Sequence, residues 1–188
     1  MKRKLFEYGG IAASIMLIAF GIGSIGIGIA GVNEVRDNLA RENIVGTPDS
    51  SIPGQKVDTG GEAKSFAAVM RKHALESTGG LTYAEMGRFQ SAANPEDPKG
   101  TSDEAAAAKD ESGEPISNGA RNIWVTETAL TTALNVAFFA ERVAFFSIAM
   151  GAMLLLTGIG FLVLTLGGAI QRSPSVRETV RRAEPATS

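Results

Sequence analysis

The sequence contains no cysteine, which removes disulfides, thiolate metal sites, covalent haem attachment and a lipidated N-terminal cysteine together. Any folded segment outside the cytoplasm must therefore hold by packing alone or by its membrane anchors. Histidine is nearly as scarce: His73 is the one imidazole, and one imidazole without a thiolate is a poor donor set for zinc or iron. Charge is missing from two long stretches, since neither Gly9 to Val32 nor Val143 to Ile170 holds an Asp, Glu, Lys, Arg or His. Ion and proton pathways ordinarily need ionisable groups within the bilayer, so a channel, pump or transporter in its own right is disfavoured. Segment 94–118 lacks the opposite class: apart from Ile116 and its prolines it has nothing apolar larger than alanine, the composition of a solvated linker.

What is present is led by the two uncharged stretches. At about 1.5 Å per residue the first would extend roughly 36 Å as a helix, longer than the ~30 Å hydrocarbon core, and the second about 42 Å. The first follows a basic head, Lys2, Arg3 and Lys4, and Gly28 with Ala30 resembles a signal-peptide cleavage site. The stretch is too long for an ordinary signal core, however, and "VNEVRDNLARENI" reads as the same helix continuing into water, so an uncleaved anchor is expected. Lys2, Arg3 and Lys4 before the first stretch, and Arg172, Arg177, Arg181 and Arg182 after the second, favour both termini in the cytoplasm of a plasma-membrane protein. The middle segment, Asn33 to Arg142, carries eleven Lys and Arg against seventeen Asp and Glu, a net of −6. That balance argues against a nucleic-acid partner and is compatible with an extracytoplasmic position.

The organisation expected is a cytoplasmic N-terminus (1–8), a first transmembrane helix (9–32), an extracytoplasmic lobe (33–142) with a disordered acidic loop (94–118), a second transmembrane helix (143–170) and a basic cytoplasmic tail (171–188). Small residues mark faces where helices approach closely in lipid: Ser24 with Gly28 and Gly26 with Ala30 at four-residue spacing, Gly151 with Gly158 and Gly160 with Gly167 at seven. These faces suit joining the two spans, self-association, or clasping another membrane protein. Glu141 and Arg142 read as a snorkelling pair at the outer boundary.

Within the middle segment, Val32, Val35 and Leu39 recur at helical spacing, as do Ile123, Leu130, Leu134 and Phe138 after a possible Asn118 cap, predicting an antiparallel stalk. Trp124 serves either as an interfacial anchor or within the lobe. Glu62 to Ser77 reads as a helix with Ala63, Phe66, Ala67, Met70 and Ala74 on one face, ended by Gly79 or Gly80. Thr82 and Glu85 have capping-box spacing, predicting a short helix to about Phe89. The glycines and Glu85 around His73 are thus accounted for by architecture, while a site of His73 with Glu76 and Glu85 is the alternative that would carry chemistry. The acidic loop has no EF-hand spacing. The fold class is therefore all-α: two transmembrane helices extended into an antiparallel extracytoplasmic stalk, with a small helical lobe and flexible loops.

Taken together, "NIVGTPDSSIPG", "HALESTGGLTYAEMGRF", "ANPEDPKGT" and "ARNIWVTETALTTALN" resemble an uncharacterised family of small two-span membrane proteins of actinobacteria, across nearly the whole chain. Members are sometimes labelled aromatic ring-opening dioxygenases, enzymes that hold non-haem iron with histidines and a carboxylate. With His73 as the one histidine that ligand set cannot be built, so the resemblance implies topology and contributes no catalytic residue or cofactor. The functional expectation is a non-enzymatic accessory or assembly subunit whose partners are the lipid bilayer and its own copies or another membrane protein. An envelope sensor with a ligand-binding lobe is one alternative, and a metal-dependent enzyme at His73 the other.

Overall fold

The computed structural model describes residues 2–167. The side chains of residues 2–6, the last three positions of the 143–170 stretch and the 171–188 tail lie outside that description, and with them the basic clusters used above to orient the termini. Three helices follow in chain order, α1 (Lys2–Arg41), α2 (Gly60–Ser77) and α3 (Gly119–Leu166), and no strand forms among the described residues. The chain divides into two compact units: the segments up to Ala30 and from Ala144, and Gly31–Val143.

In the first unit, α1 and α3 are long and apolar enough to cross a membrane and pack against each other in antiparallel register. Gly28 lies against Ala144 and Ile148, Gly21 against Gly151 and Leu155, Gly158 against Ile18, and Gly10 against Thr165. The buried positions are Ser14, Gly21 and Gly28 on one helix and Ala144, Gly151, Gly158 and Thr165 on the other. All are spaced by seven, the repeat of a left-handed pair. The two buried hydroxyls of this unit fold back on their own helices, Ser14 onto the Gly10 carbonyl at 2.8 Å and Thr165 onto that of Phe161 at 2.7 Å, so their burial leaves no donor unmade.

The second unit is built on α2. Ala63, Ala67 and Ala74 are buried and Phe66 and Met70 half-buried, as the spacing predicts, and all of these but Ala74 meet Leu39, Leu134 and Val57 in one core. Of the stalk residues, Val32, Leu39 and Leu134 are buried, whereas Ile123 and Leu130 stand about half exposed. The α2 N-terminus carries a reciprocal capping box, Thr59 with Glu62. At its other end the Gly80 N–H bonds the Leu75 carbonyl and the Gly79 N–H that of Glu76; Gly79 has φ +62, the left-handed C-terminal closure that glycine permits.

Two expectations need correction here. Thr82 to Phe89 is not a helix: the Thr82 N–H and hydroxyl do bond the Glu85 carboxylate, at 2.8 and 2.7 Å, but the turn stops there. The Gly87 N–H is taken by the Lys99 carbonyl, and Phe89 exchanges two backbone bonds with Thr101. Nor is 94–118 a disordered linker. Isolated bridges pair Phe89 with Thr101 and Ser117, Ser91 with Ala107, and Lys109 with Pro115. Asn118, 4% exposed, ties the loops by donating to the carbonyls of Gly87 and Pro98, both at 3.0 Å, while its own oxygen accepts the Ala120 N–H and caps α3. Backbone pairing holds a segment whose side chains could not build a core.

Candidate functional site

His73 sits on an exposed face of α2, and its partner is Asp49, which sequence spacing did not single out. The imidazole Nε2 lies 2.9 Å from Asp49 Oδ2, Lys72 Nζ is 3.1 Å from the same oxygen, and the Thr47 hydroxyl donates to Oδ1 at 2.8 Å. The His73 hydrogen bond, followed by those of Thr47 and Lys72, holds the Asp49 carboxyl well below the usual range. Glu76 faces Lys72 at 3.8 Å, and Glu85 belongs to the Thr82 turn, whose two hydrogen bonds hold it below its ordinary value. The His73, Glu76, Glu85 set is therefore not assembled, and no group of three metal-ligating side chains occurs among the described residues. The cluster is a surface ion-pair network joining α2 to the 43–58 connection.

The small residues fall into two classes. A Cβ added at Gly28 would stand 2.7 Å from the Ala144 carbonyl oxygen, one at Gly151 2.7 Å from that of Gly21, and one at Gly158 2.8 Å from Ile18 Cγ1. These glycines line the contact between α1 and α3. Gly26 and Gly160 face open space, Gly167 meets only the Val163 carbonyl of its own helix, Ala30 is exposed, and Ser24 is half-exposed. Of the four residues singled out in α1, Gly28 lies at this contact, which runs through Gly10, Ser14, Gly21 and Gly28, while Ser24, Gly26 and Ala30 are not among its buried positions. The seven-residue repeat of a left-handed pair, rather than a four-residue step alone, sets which positions lie on it.

Two buried carboxylates complete the arrangement. Glu141, 4% exposed, does not pair with Arg142. It receives the Arg36 guanidinium at 3.0 Å and the Gly60 N–H at 3.1 Å, joining all three helices at the start of α2. Arg142 instead lies over the Phe138 ring, 5.0 Å from its centroid. Glu127, 5% exposed, binds Arg71 at 2.9 Å, and the same guanidinium covers the Trp124 ring at 4.6 Å. Trp124 thus clamps α3 to α2. Glu62, only partly buried, differs: burial alone would raise it, but the N–H groups of Asp58 and Thr59 and the Thr59 hydroxyl outweigh that and lower it.

Beside these pairs run two clefts. The larger, about 680 Å³, is lined mainly by apolar side chains of α1, α2 and α3, among them Leu39, Phe66 and Ala137. The smaller, about 460 Å³, lies between α2 and α3 and includes His73, Asn122 and Glu127. Comparison with known proteins finds no matching family model, no matching curated protein and no matching solved structure.

Proposed function

We propose that the chain is a two-span integral protein of the plasma membrane, a non-enzymatic accessory or assembly subunit with both termini cytoplasmic and residues 33–142 outside. The observation supporting it is the distribution of side-chain size in the first unit. Glycine, serine, alanine and threonine meet at the contact, while Phe20, Ile27, Phe146 and Leu156 point outward, each more than 60% exposed. In water such a surface would be an aggregation hazard. In lipid it is the favoured arrangement, because helix association there gains from close backbone approach rather than from hiding large apolar groups.

The helix pair is closed by its own glycines, so partner binding falls to the outward small residues, Gly26, Ala30 and Gly160. Purification of a tagged full-length chain from its native membrane after alkaline washing, with mass determination of the intact detergent-extracted complex, tests the reading. A homo-oligomer or a stoichiometric foreign subunit is expected. Release of the protein by alkali would refute membrane insertion, and a lone monomer the subunit role.

A further inference from the structure

The two clefts adjoin, sharing Met70 and Leu130 in their linings; the larger is mainly apolar and the smaller includes Glu127. Glu127 has an unusual defect. Its Oε2 takes Arg71, but Oε1 is shielded from solvent and is the one buried side-chain nitrogen or oxygen among the described residues without a hydrogen-bond partner. Such an oxygen has given up water without gaining a partner, which disfavours the empty site. We propose that these clefts form a binding site for a neutral single-chain amphiphile, whose alkyl tail lies along Leu39, Phe66, Met70 and Leu134 and whose hydroxyl donates to Glu127 Oε1 once the carboxylate turns toward the smaller cleft.

Three features choose this ligand class. The lone oxygen accepts and cannot donate, so the head must carry a donor. Arg71 already balances the carboxylate, so a second cation at Oε1 would be repelled by the guanidinium, and an anion by the carboxylate. A neutral hydroxyl meets neither penalty. The larger cleft, at about 680 Å³, falls within the roughly 300–1,000 Å³ typical of small-molecule sites. The site goes beyond the membrane-subunit role and does not depend on it.

Two isomeric probes separate the donor from the tail: 1-octanol, which can donate, and 1-methoxyheptane, which cannot. The full chain, in nanodiscs, carries one tryptophan, Trp124, one helical turn from Glu127, and its emission reports occupancy. A saturable change with 1-octanol is expected, with 1-methoxyheptane weaker by roughly ten- to a hundredfold, the worth of a hydrogen bond to a charged group. Glu127→Met should bring the two compounds level. Ala133→Phe, at an exposed alanine lining the larger cleft, should remove the saturable component without touching the core. Equal responses to the two compounds in the unaltered chain, or saturable binding that survives Ala133→Phe, would overturn the proposal.

Discussion

Glycine-to-alanine substitutions on α1 and α3 provide matched comparisons in which one methyl group either meets a neighbour or does not. At Gly26 and Gly160 the added Cβ meets nothing of its own chain within 4 Å, so in the detergent-dispersed monomer alanine should stabilise through helix propensity alone, by about 1 kcal/mol. At Gly21 it would lie 2.7 Å from the Leu155 nitrogen and 2.8 Å from the Gly151 carbonyl oxygen, whereas ordinary contact begins near 3.4 Å. Both obstacles are backbone and cannot rotate away, so the helices must part by about 0.7 Å, which forfeits a quarter to a half of the dispersion attraction along the contact. Overpacking of this kind costs about 1–3 kcal/mol. Set against the gain in propensity, Gly21→Ala and Gly151→Ala should be neutral to about 2 kcal/mol destabilising. The absence of cysteine lets a donor and an acceptor dye be placed at Gly9→Cys and Leu166→Cys alone, and helix separation followed by energy transfer during titration with sodium dodecyl sulfate. If Gly21→Ala and Gly151→Ala stabilise the pair as much as Gly26→Ala and Gly160→Ala do, the contact is not one of close backbone approach and the explanation of the seven-residue spacing fails.

Thr59→Ala removes one half of the α2 capping box and should cost about 0.5–2 kcal/mol, read as a lower midpoint in thermal unfolding of the second unit by circular dichroism. Asp49 contributes to the pH dependence of the 43–58 connection, whose end is also held by the depressed Glu62. The folded Asp49 carboxyl is depressed, chiefly by His73, so its stabilising effect is complete above the unfolded value of about 3.9 and is lost as the pH falls below that toward the folded one. Amide exchange in 43–58 should accelerate in that acidic window, and Asp49→Asn should reduce the dependence; an unchanged profile would show that the network contributes nothing.

The elements readable from the sequence were those with a contrast between faces. The apolar stripe of α2 stood against Lys64, Arg71 and Lys72, so its buried face was legible. The α1–α3 contact was not, because the stretches that form it are apolar on every side and hydropathy cannot distinguish a lipid-facing isoleucine from one at a contact. The usable signal was a shared spacing: Ser14, Gly21 and Gly28 repeat every seven residues, as Gly151 and Gly158 do. Capping chemistry showed the limits of local pattern in both directions. Thr59 and Glu62, passed over, open a real helix, while Thr82 and Glu85 make their hydrogen bonds without one, because Gly87 and Phe89 are committed to partners more than ten residues away. Asp49, the partner of His73, lies twenty-four residues from it, in a turn whose placement depends on the whole second unit.

Buried positions continue along α1 and α3 with little change of spacing while the residues themselves change. On α1 the series Ser14, Gly21, Gly28 is followed by Val32 and Leu39; on α3 Glu127, Thr131, Leu134 and Glu141 are followed by Ala144, Gly151, Gly158 and Thr165. A continuous helix accommodates both regimes because its backbone hydrogen bonds are internal, in lipid and water alike. The change must therefore be set by side chains, and Arg36 with Glu141 is the pair best suited to set it. On the membrane reading, moving that pair into hydrocarbon would cost several kcal/mol per uncompensated charge, so it limits how far the helices slide inward. The double variant Arg36→Gln, Glu141→Gln removes the charge and keeps an acceptor for the Gly60 N–H. Phe139, 67% exposed, then serves as the depth gauge: Phe139→Cys should react with a membrane-impermeant maleimide in the parent chain and more slowly in the neutralised one. Equal labelling rates, with helical content unchanged, would mean that the pair only joins the helices and that depth is fixed elsewhere.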